Sequence, residues 1–497
     1  MHSDRPLKER EVDVLVVGAG ISGIDVAYHL KKRCPDRSFV IAEARERIGG
    51  TWDLFRYPGI RSDSDMHTLG LPFRPWRGEN AIVDGPTIRD YLEETAREFG
   101  IDEHIRFEHR VVSADWDSAE CRWNVVLDAA GEQRTVRARH VYWASGYYSY
   151  SEAYTPQLAG VEDFAGEVIH PQFWPEDYPV EGKTIVVIGS GATAITLVPA
   201  LAQRGARVGM LQRSPTYIVT RDPKDKIANL LHRFLPGRMA DHLVRWKNIA
   251  YGMATYGLAR KRPEKVKRAI LKGVGERISD ARIVQRHFTP DYDPWDQRIC
   301  LVPDGDLFDA IEAGRAKVVT GKIGKFEPKG IRLRSGRLLE CDIAVTATGL
   351  KLELFGSARM TVDGQPIDMT QRTIYRGMLV SGLPNMALAF GYVNASWTLK
   401  CDLTARNFCR LLIESGRQKE ATFLVPQKAP HGNRRPMIAL DAGYVKRAAD
   451  ILPMQGSRGG WQVRTNVARD TMDYYLDPIE KSEVEFRPCA PAAIGAA

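Results

Sequence analysis

Two stretches of the chain share one pattern of apolar and polar positions. Val12–Val17 (VDVLVV) is a short, Val-rich run, as a parallel strand buried on both faces requires. Gly18-Ala19-Gly20-Ile21-Ser22-Gly23 follows at once, and IDVAYHLKKR then places Ile24, Ala27, Tyr28 and Leu30 on one helical face. A second apolar run, SFVIAE, ends in Glu43. The unit recurs at Lys183–Ile188 (KTIVVI), followed by Gly189-Ser190-Gly191-Ala192-Thr193-Ala194, a helix to about Gln203 and the strand VGMLQR. Each unit predicts strand, glycine turn, helix and strand, the framework of a Rossmann-like α/β domain.

The turns carry the chemistry. The first glycine permits the tight turn, the second lets the backbone approach a pyrophosphate at the helix N-terminus, and the third permits close helix–strand packing. Glu43 lies where a carboxylate accepts hydrogen bonds from ribose hydroxyls. The second unit ends instead in Gln212-Arg213-Ser214, where Arg213 and Ser214 suit a 2′-phosphate and an acid would repel it, so NADPH is favoured over NADH. After the first unit, Gly49-Gly50-Thr51-Trp52 lets backbone pass close to a large planar ligand, with a hydroxyl and an indole to touch it. Two dinucleotide sites in one chain point to electron transfer between a nicotinamide and a flavin. A disulfide reductase would need a cysteine pair beside the flavin, and no such pair stands in the sequence.

Between Arg221 and Pro290 the pattern turns helical: IANLLHRFL, DHLVRWKNIAYGMATYGLARK and PEKVKRAILKGVGERI, punctuated by Pro236 and Pro263. Ile249, Met253, Tyr256 and Leu258 read there as packing residues. This segment changes the meaning of the net charge of +8: it holds 17 Lys+Arg against 6 Asp+Glu, and the rest of the chain is near neutral. A nucleic-acid partner is therefore not expected, whereas basic amphipathic helices admit a peripheral membrane contact or a plain solvated face. At 497 residues several domains are expected, because single cores stop growing near ~250–300 residues. No apolar run is long enough for a spanning helix and the N-terminus has no apolar leader core, so a cytoplasmic protein is expected. Seven scattered cysteines without C-x-x-C or C-x-x-H clusters argue against a disulfide framework and a metal site.

Phe164-x-Gly166-x-x-x-His170-x-x-x-Trp174-Pro175 resembles the fingerprint of Baeyer–Villiger monooxygenases, and Gly49-Gly50-Thr51-Trp52…Tyr57-Pro58-Gly59…Asp63 resembles a second family pattern. Further stretches, among them DPWDQRICLVPDGDLF, TATGL and GYVNASWTLK, are similar to the ethionamide-activating subgroup of actinobacteria. The resemblance implies FAD in the first site and NADPH in the second. It implies that NADPH reduces the flavin, O₂ adds at its C4a position, and the peroxide attacks a ketone carbonyl, with oxidation of sulfides or thioamides also expected. It assigns Arg298 as the cation that keeps the peroxide anionic in a water-poor site, Asp63 as its partner, and the fingerprint to coordinated domain movement. Gln297 departs from the Lys of many relatives, which leaves 2′-phosphate recognition more to Arg213. Asn394, Ser396 and Trp397 are the expected pocket residues. From the residues alone, His170 reads equally well as a structural histidine. The expected layout is a FAD domain over 1–147, linker and first NADPH part over 148–220, a helical insertion over 221–292, second NADPH part over 293–349, and completion of the FAD domain over 350–497. The alternatives are an N- or S-oxygenating flavin monooxygenase, against which Trp174 and Asp63 speak, and a non-catalytic flavin-binding sensor.

Overall fold

The computed structural model describes residues 10–426, 434–438 and 443–489; most of the N-terminal stretch, expected to lack a leader core, lies outside them. Its first layer is a nine-stranded sheet in the order Gln365–Pro366, Arg359–Val362, His109–Asp117, Arg122–Ala129, Glu132–Trp143, Glu11–Val17, Phe39–Ala42, Ile105–Arg106, with Met386–Leu388 also paired to Glu132–Trp143. The strand Glu132–Trp143 shows why the sheet changes character. Its residues 135–140 alternate accessible and buried side chains, and residues 132–138 pair antiparallel with Arg122–Ala129, leaving one face accessible. Its last four residues are all buried and run parallel to Glu11–Val17, where helices cover one face and the antiparallel strands and later loops pack against the other. Helices Ile21–Arg33 and Thr398–Arg417 pack together on that part, so residues from the end of the chain complete the first domain.

The second sheet is parallel throughout, in the order Ala316–Thr320, Arg207–Gln212, Thr184–Ile188, Ile343–Thr346, Glu167–Ile169. The helix Ala192–Gln203 covers it, and a three-stranded antiparallel flap (Ile323–Glu327, Gly330–Leu333, Leu338–Glu340) hangs from it, echoing the first domain. Four helices, Lys226–Phe234, Gly237–Lys261, Pro263–Gly275 and Ala281–His287, leave this domain after the strand Ile218–Arg221 and return to Cys300–Pro303. Those two strands pair in parallel. The pairing closes the base of the insertion and fixes where residues 293–299 enter the molecule.

Contrary to the expectation from cysteine spacing, the chain holds a disulfide. Cys121 pairs with Cys489, with Cα atoms 5.9 Å apart across a sequence separation of 368 residues. Spacing along the chain carried no information about this pair, because the C-terminal segment folds back onto the first domain. Among the described residues no helix is long and apolar enough to cross a membrane.

Candidate active site

Both glycine turns are built the same way. Gly18 (φ +102°) and Gly189 (φ +140°) hold backbone conformations that side chains rarely adopt. A Cβ on either would also stand 2.8 Å from the Ala144 carbonyl oxygen or 2.2 Å from that of Ala347, each at the end of a returning strand. At Gly23 a Cβ would lie 1.9 Å from the Gly18 oxygen, so the helix sits against its own turn. Ala194 fills the third small position of the second turn and is fully buried. At Gly191 a Cβ would meet nothing within 4 Å, leaving open space before the helix that begins at Ala192. A Cβ on Gly20 would lie 3.6 Å from the Cα of Gly50, so the first turn and the Gly49-Gly50 turn form two walls of one slot.

That slot is one end of a cavity of about 350 Å³, lined by Gly18, Gly20, Glu43, Gly50, Thr51, Trp52, Asp63 and Arg298, among others. Glu43 is buried and accepts hydrogen bonds from the backbone N–H groups of Ala19 (2.6 Å) and Arg45 (2.9 Å). Burial raises its pKa despite those bonds. A glycine slot at a helix N-terminus, an acid at the end of the second strand and an apolar wall toward Trp52 together fit an elongated dinucleotide bearing a planar ring, as FAD does. The open turn at Gly189–Thr193 fits a second, NADPH-like dinucleotide. Arg213 is exposed and Ser214 half-buried at the end of the strand Arg207–Gln212.

Arg298 and Asp63 come together in the lining of the first cavity, with Nη2 3.7 Å from Oδ2. Asp63 holds the Arg298 guanidinium protonated well above the ordinary range, against the opposing effect of burial. Both residues also line a second cavity, of about 620 Å³, between the first domain and the insertion. Asn394, Ser396, Ile249, Met253 and Leu258 share that lining. Met253 and Leu258 thus face a cavity where their helical spacing suggested packing. Ile249 does both, packing on Tyr392, Leu399 and Val467. Tyr256 packs edge-on against Trp295 at 5.3 Å.

The turn that presents Arg298 is strained and pinned. Trp295 has φ +73°, rare for a bulky residue. Asp296 donates its backbone N–H to the Asp293 carbonyl, and its carboxylate accepts from Arg260 of the insertion at 2.7 Å. Sequence reasoning missed the aromatic surroundings. Tyr147 and Tyr148 share a hydroxyl–hydroxyl hydrogen bond of 2.8 Å, and Tyr147 stacks on Trp397 at 5.0 Å. Tyr444 completes this wall of the first cavity, its phenol pushed up to about 12, chiefly by burial. The run Tyr147-Tyr148-x-Tyr150 after a strand was the available signal. Trp397 donates from Nε1 to Ser22 Oγ at 2.9 Å, tying the pocket loop to the first turn. Ser396 and Thr398 bind Thr68 and its neighbour Leu69. Arg245 of the insertion donates to the His67 and Gly70 carbonyls on either side of Thr68 and Leu69. Asn394 donates to the Thr465 carbonyl.

The other motif residues join the two domains. Leu54, Phe55 and Tyr57 are buried in the core of the second domain, and the buried Tyr57 lies beside Thr193 in the second glycine turn. Gly59 approaches the helix Ala192–Gln203 so closely that a Cβ would lie 2.8 Å from the Ala200 side chain. In the fingerprint, Phe164 packs on Phe326, a Cβ on Gly166 would lie 2.3 Å from the Asp342 oxygen, and Trp174 is buried while Pro175 is exposed. His170 Nδ1 accepts from the Gln172 N–H and caps a short turn. Burial lowers the His170 pKa, in line with a neutral ring. Gln172 in turn donates to the Ser149 and Tyr150 carbonyls of the first domain. Elsewhere Asp25, His29 and Asp402 cluster in the core, where Arg406 already neutralises Asp402 at 2.9 Å.

Two dinucleotide domains, a glycine slot for a planar cofactor, and a half-buried cation shared with an apolar cavity define a two-dinucleotide flavoprotein oxidoreductase. Comparison sharpens the class. The Flavin-binding monooxygenase-like family model matches residues 80–283, and the NAD(P)-binding Rossmann-like domain model matches 16–78. The chain is 50% identical over 485 residues to the FAD-containing monooxygenase EthA of Mycobacterium tuberculosis (strain ATCC 25618 / H37Rv), covering 97% of this chain and 99% of that one. It is 44% identical to the probable FAD-binding monooxygenase AlmA of Acinetobacter baylyi, covering 93% of each. It therefore belongs to the family of FAD-containing monooxygenases. Its fold is shared with an oxidised steroid monooxygenase bound to NADP (TM-score 0.74, 20% identity, 96% of this chain and 99% of that one). It is shared too with an open form of cyclohexanone monooxygenase (TM-score 0.73, 21% identity, 97% and 100%).

Proposed function

We propose that the protein is an NADPH-dependent, FAD-containing monooxygenase that inserts one oxygen atom of O₂ beside a ketone carbonyl, giving an ester or lactone. The second oxygen atom leaves as water, with electrons from NADPH. Sulfides or thioamides in the same cavity accept an oxygen atom at sulfur. The observation that carries this reading is the Arg298–Asp63 pair, common to the dinucleotide cavity and the apolar cavity beside the insertion. Bound FAD supplies two-electron redox chemistry and the activation of O₂. The protein's residues do the rest. The Gly18–Gly23 and Gly49–Gly50 turns, Glu43, Thr51 and Trp52 hold the cofactor, and Gly189, Gly191, Ala192, Thr193, Arg213 and Ser214 hold NADPH. Arg298 places a fixed positive charge where oxygen transfer to a carbonyl develops negative charge, and the apolar walls exclude water from it. Tyr57 on Thr193 and the fingerprint segment keep the two domains in register. Residues 221–290 form a peripheral membrane contact. Product analysis by mass spectrometry over linear, cyclic and aryl ketones and sulfides, with NADPH and O₂, tests the chemistry. Esters or lactones support it; sulfoxides alone favour the S-oxygenating alternative.

A further inference from the structure

The insertion carries the largest group of exposed apolar side chains among the described residues. On the helix Lys226–Phe234, Ile227, Leu230 and Phe234 recur three and four positions apart on one face and are 58%, 56% and 70% exposed. On the helix Gly237–Lys261, Met239, Leu243 and Trp246 do the same, each a little under half exposed. The opposite faces are buried through Ala228, Ala240 and Val244. The two helices pack together, so the two stripes lie on neighbouring elements, a ridged apolar surface of the insertion. Lys226, Arg233 and Arg238 are exposed on the same two helices, in the segment that concentrates the positive charge of the chain. Further along the second helix, Tyr251 and Leu258 are exposed and also line the 620 Å³ cavity. The helix that carries one stripe thus also forms part of the cavity wall, about a third of a turn round from that stripe.

We propose that this ridge docks on an anionic lipid bilayer, and that apolar substrates dissolved in the bilayer pass along Tyr251 and Leu258 into the cavity beside Arg298. Charge complementarity selects the occupant: an apolar stripe flanked by Lys and Arg, with a Trp on it, matches an interfacial helix on acidic headgroups. The route rests on the reading of that cavity as the substrate site; the docking does not.

The test uses full-length holoenzyme and vesicles of phosphatidylglycerol and phosphatidylcholine. The protein should co-sediment with anionic vesicles at low ionic strength, weakly with neutral ones, and less in high salt. Trp246 emission should shift to the blue on binding, a change lost in Trp246→Phe. Leu230→Glu with Phe234→Glu, both at exposed positions, should cut vesicle affinity by about tenfold or more. That variant should turn over a small water-soluble ketone at the unaltered rate, yet lose turnover of a long-chain ketone presented in vesicles. Equal binding of variant and parent, or no binding at low salt, overturns the docking. A dimer in light scattering that the variant splits, without vesicle binding, assigns the ridge to a second copy and overturns it too. Vesicle binding with unaltered turnover of the vesicle-borne ketone overturns the route alone. Failure of all ketone oxidation in the parent strikes the chemical reading and leaves the docking standing.

Discussion

Replacing Arg298 by Ala removes the one cation among the described residues that lines both cavities together with Asp63. At 3.7 Å the pair would attract by about 4 kcal/mol in a medium of effective dielectric about 20. Each side chain is 40% exposed, so screening reduces this to roughly 1–2 kcal/mol. That modest figure concerns the resting pair. The charge facing the reacting oxygen matters more, because losing a preorganised partner of developing negative charge costs about 10²–10³ in rate. Arg298→Ala should therefore retain FAD and its NADPH-dependent bleaching, but form ester about 10²–10³ times more slowly. The O₂ it consumes should appear as hydrogen peroxide, measured with a peroxidase-coupled dye. Arg298→Lys should recover part of the rate, since the charge returns without the planar fork. Asp63→Asn alone should cost only about tenfold and add almost nothing to Arg298→Ala, because its effect runs through the arginine. Ester formation by Arg298→Ala at the parental rate would refute the assignment.

Arg213→Ala should raise KM for NADPH by about tenfold or more while leaving KM for NADH nearly unchanged, in steady-state assays of flavin reduction. Equal changes for both would show that another group reads the phosphate. Tyr256→Ala removes the ring that pins Trp295, an edge contact worth about 1 kcal/mol, so the peroxide released per NADPH should rise severalfold with flavin reduction unchanged. Tyr256→Phe should restore the parental ratio, and an unmoved ratio in the alanine variant would remove the insertion from Arg298 placement. His140 is fully buried and its pKa falls to about 4, chiefly through burial. Because the unfolded chain binds the proton from about pH 6.5 downward and the folded one only near 4, stability falls as pH drops through that window, by about 3 kcal/mol in all. Urea melts at pH 7 and pH 5 should differ by about 2 kcal/mol less in His140→Phe than in the parent; an identical difference would sink the assignment.

What the sequence made legible was local. Gly18 and Gly189 each need a left-handed turn beside a returning strand, a demand expressed within a few residues, so both units could be read from spacing. The apolar faces of the insertion were legible too, but periodicity says only that a face avoids water. Ile249 packs on Leu399 while Met253 and Leu258 line a cavity, and nothing in a 3.6-residue repeat separates core from pocket. Long-range juxtapositions were invisible for the same reason: Cys121 with Cys489, Tyr57 with Thr193, and the tyrosines around Arg298 meet only after the chain has folded.

The motif residues that looked like one site prove to do two jobs. Gly50, Thr51 and Trp52 line the first cavity, whereas Leu54, Phe55, Tyr57 and Gly59, a few residues on, are packed into the second domain. A segment so divided cannot shift in one domain without displacing the other. The Arg298 turn is divided likewise, between the strand Cys300–Pro303 on one side and Tyr256 and Arg260 of the insertion on the other. Substrate filling the cavity between them would press on the helix that pins this turn. Under the proposed function, the placement of Arg298 would then answer to what fills the cavity.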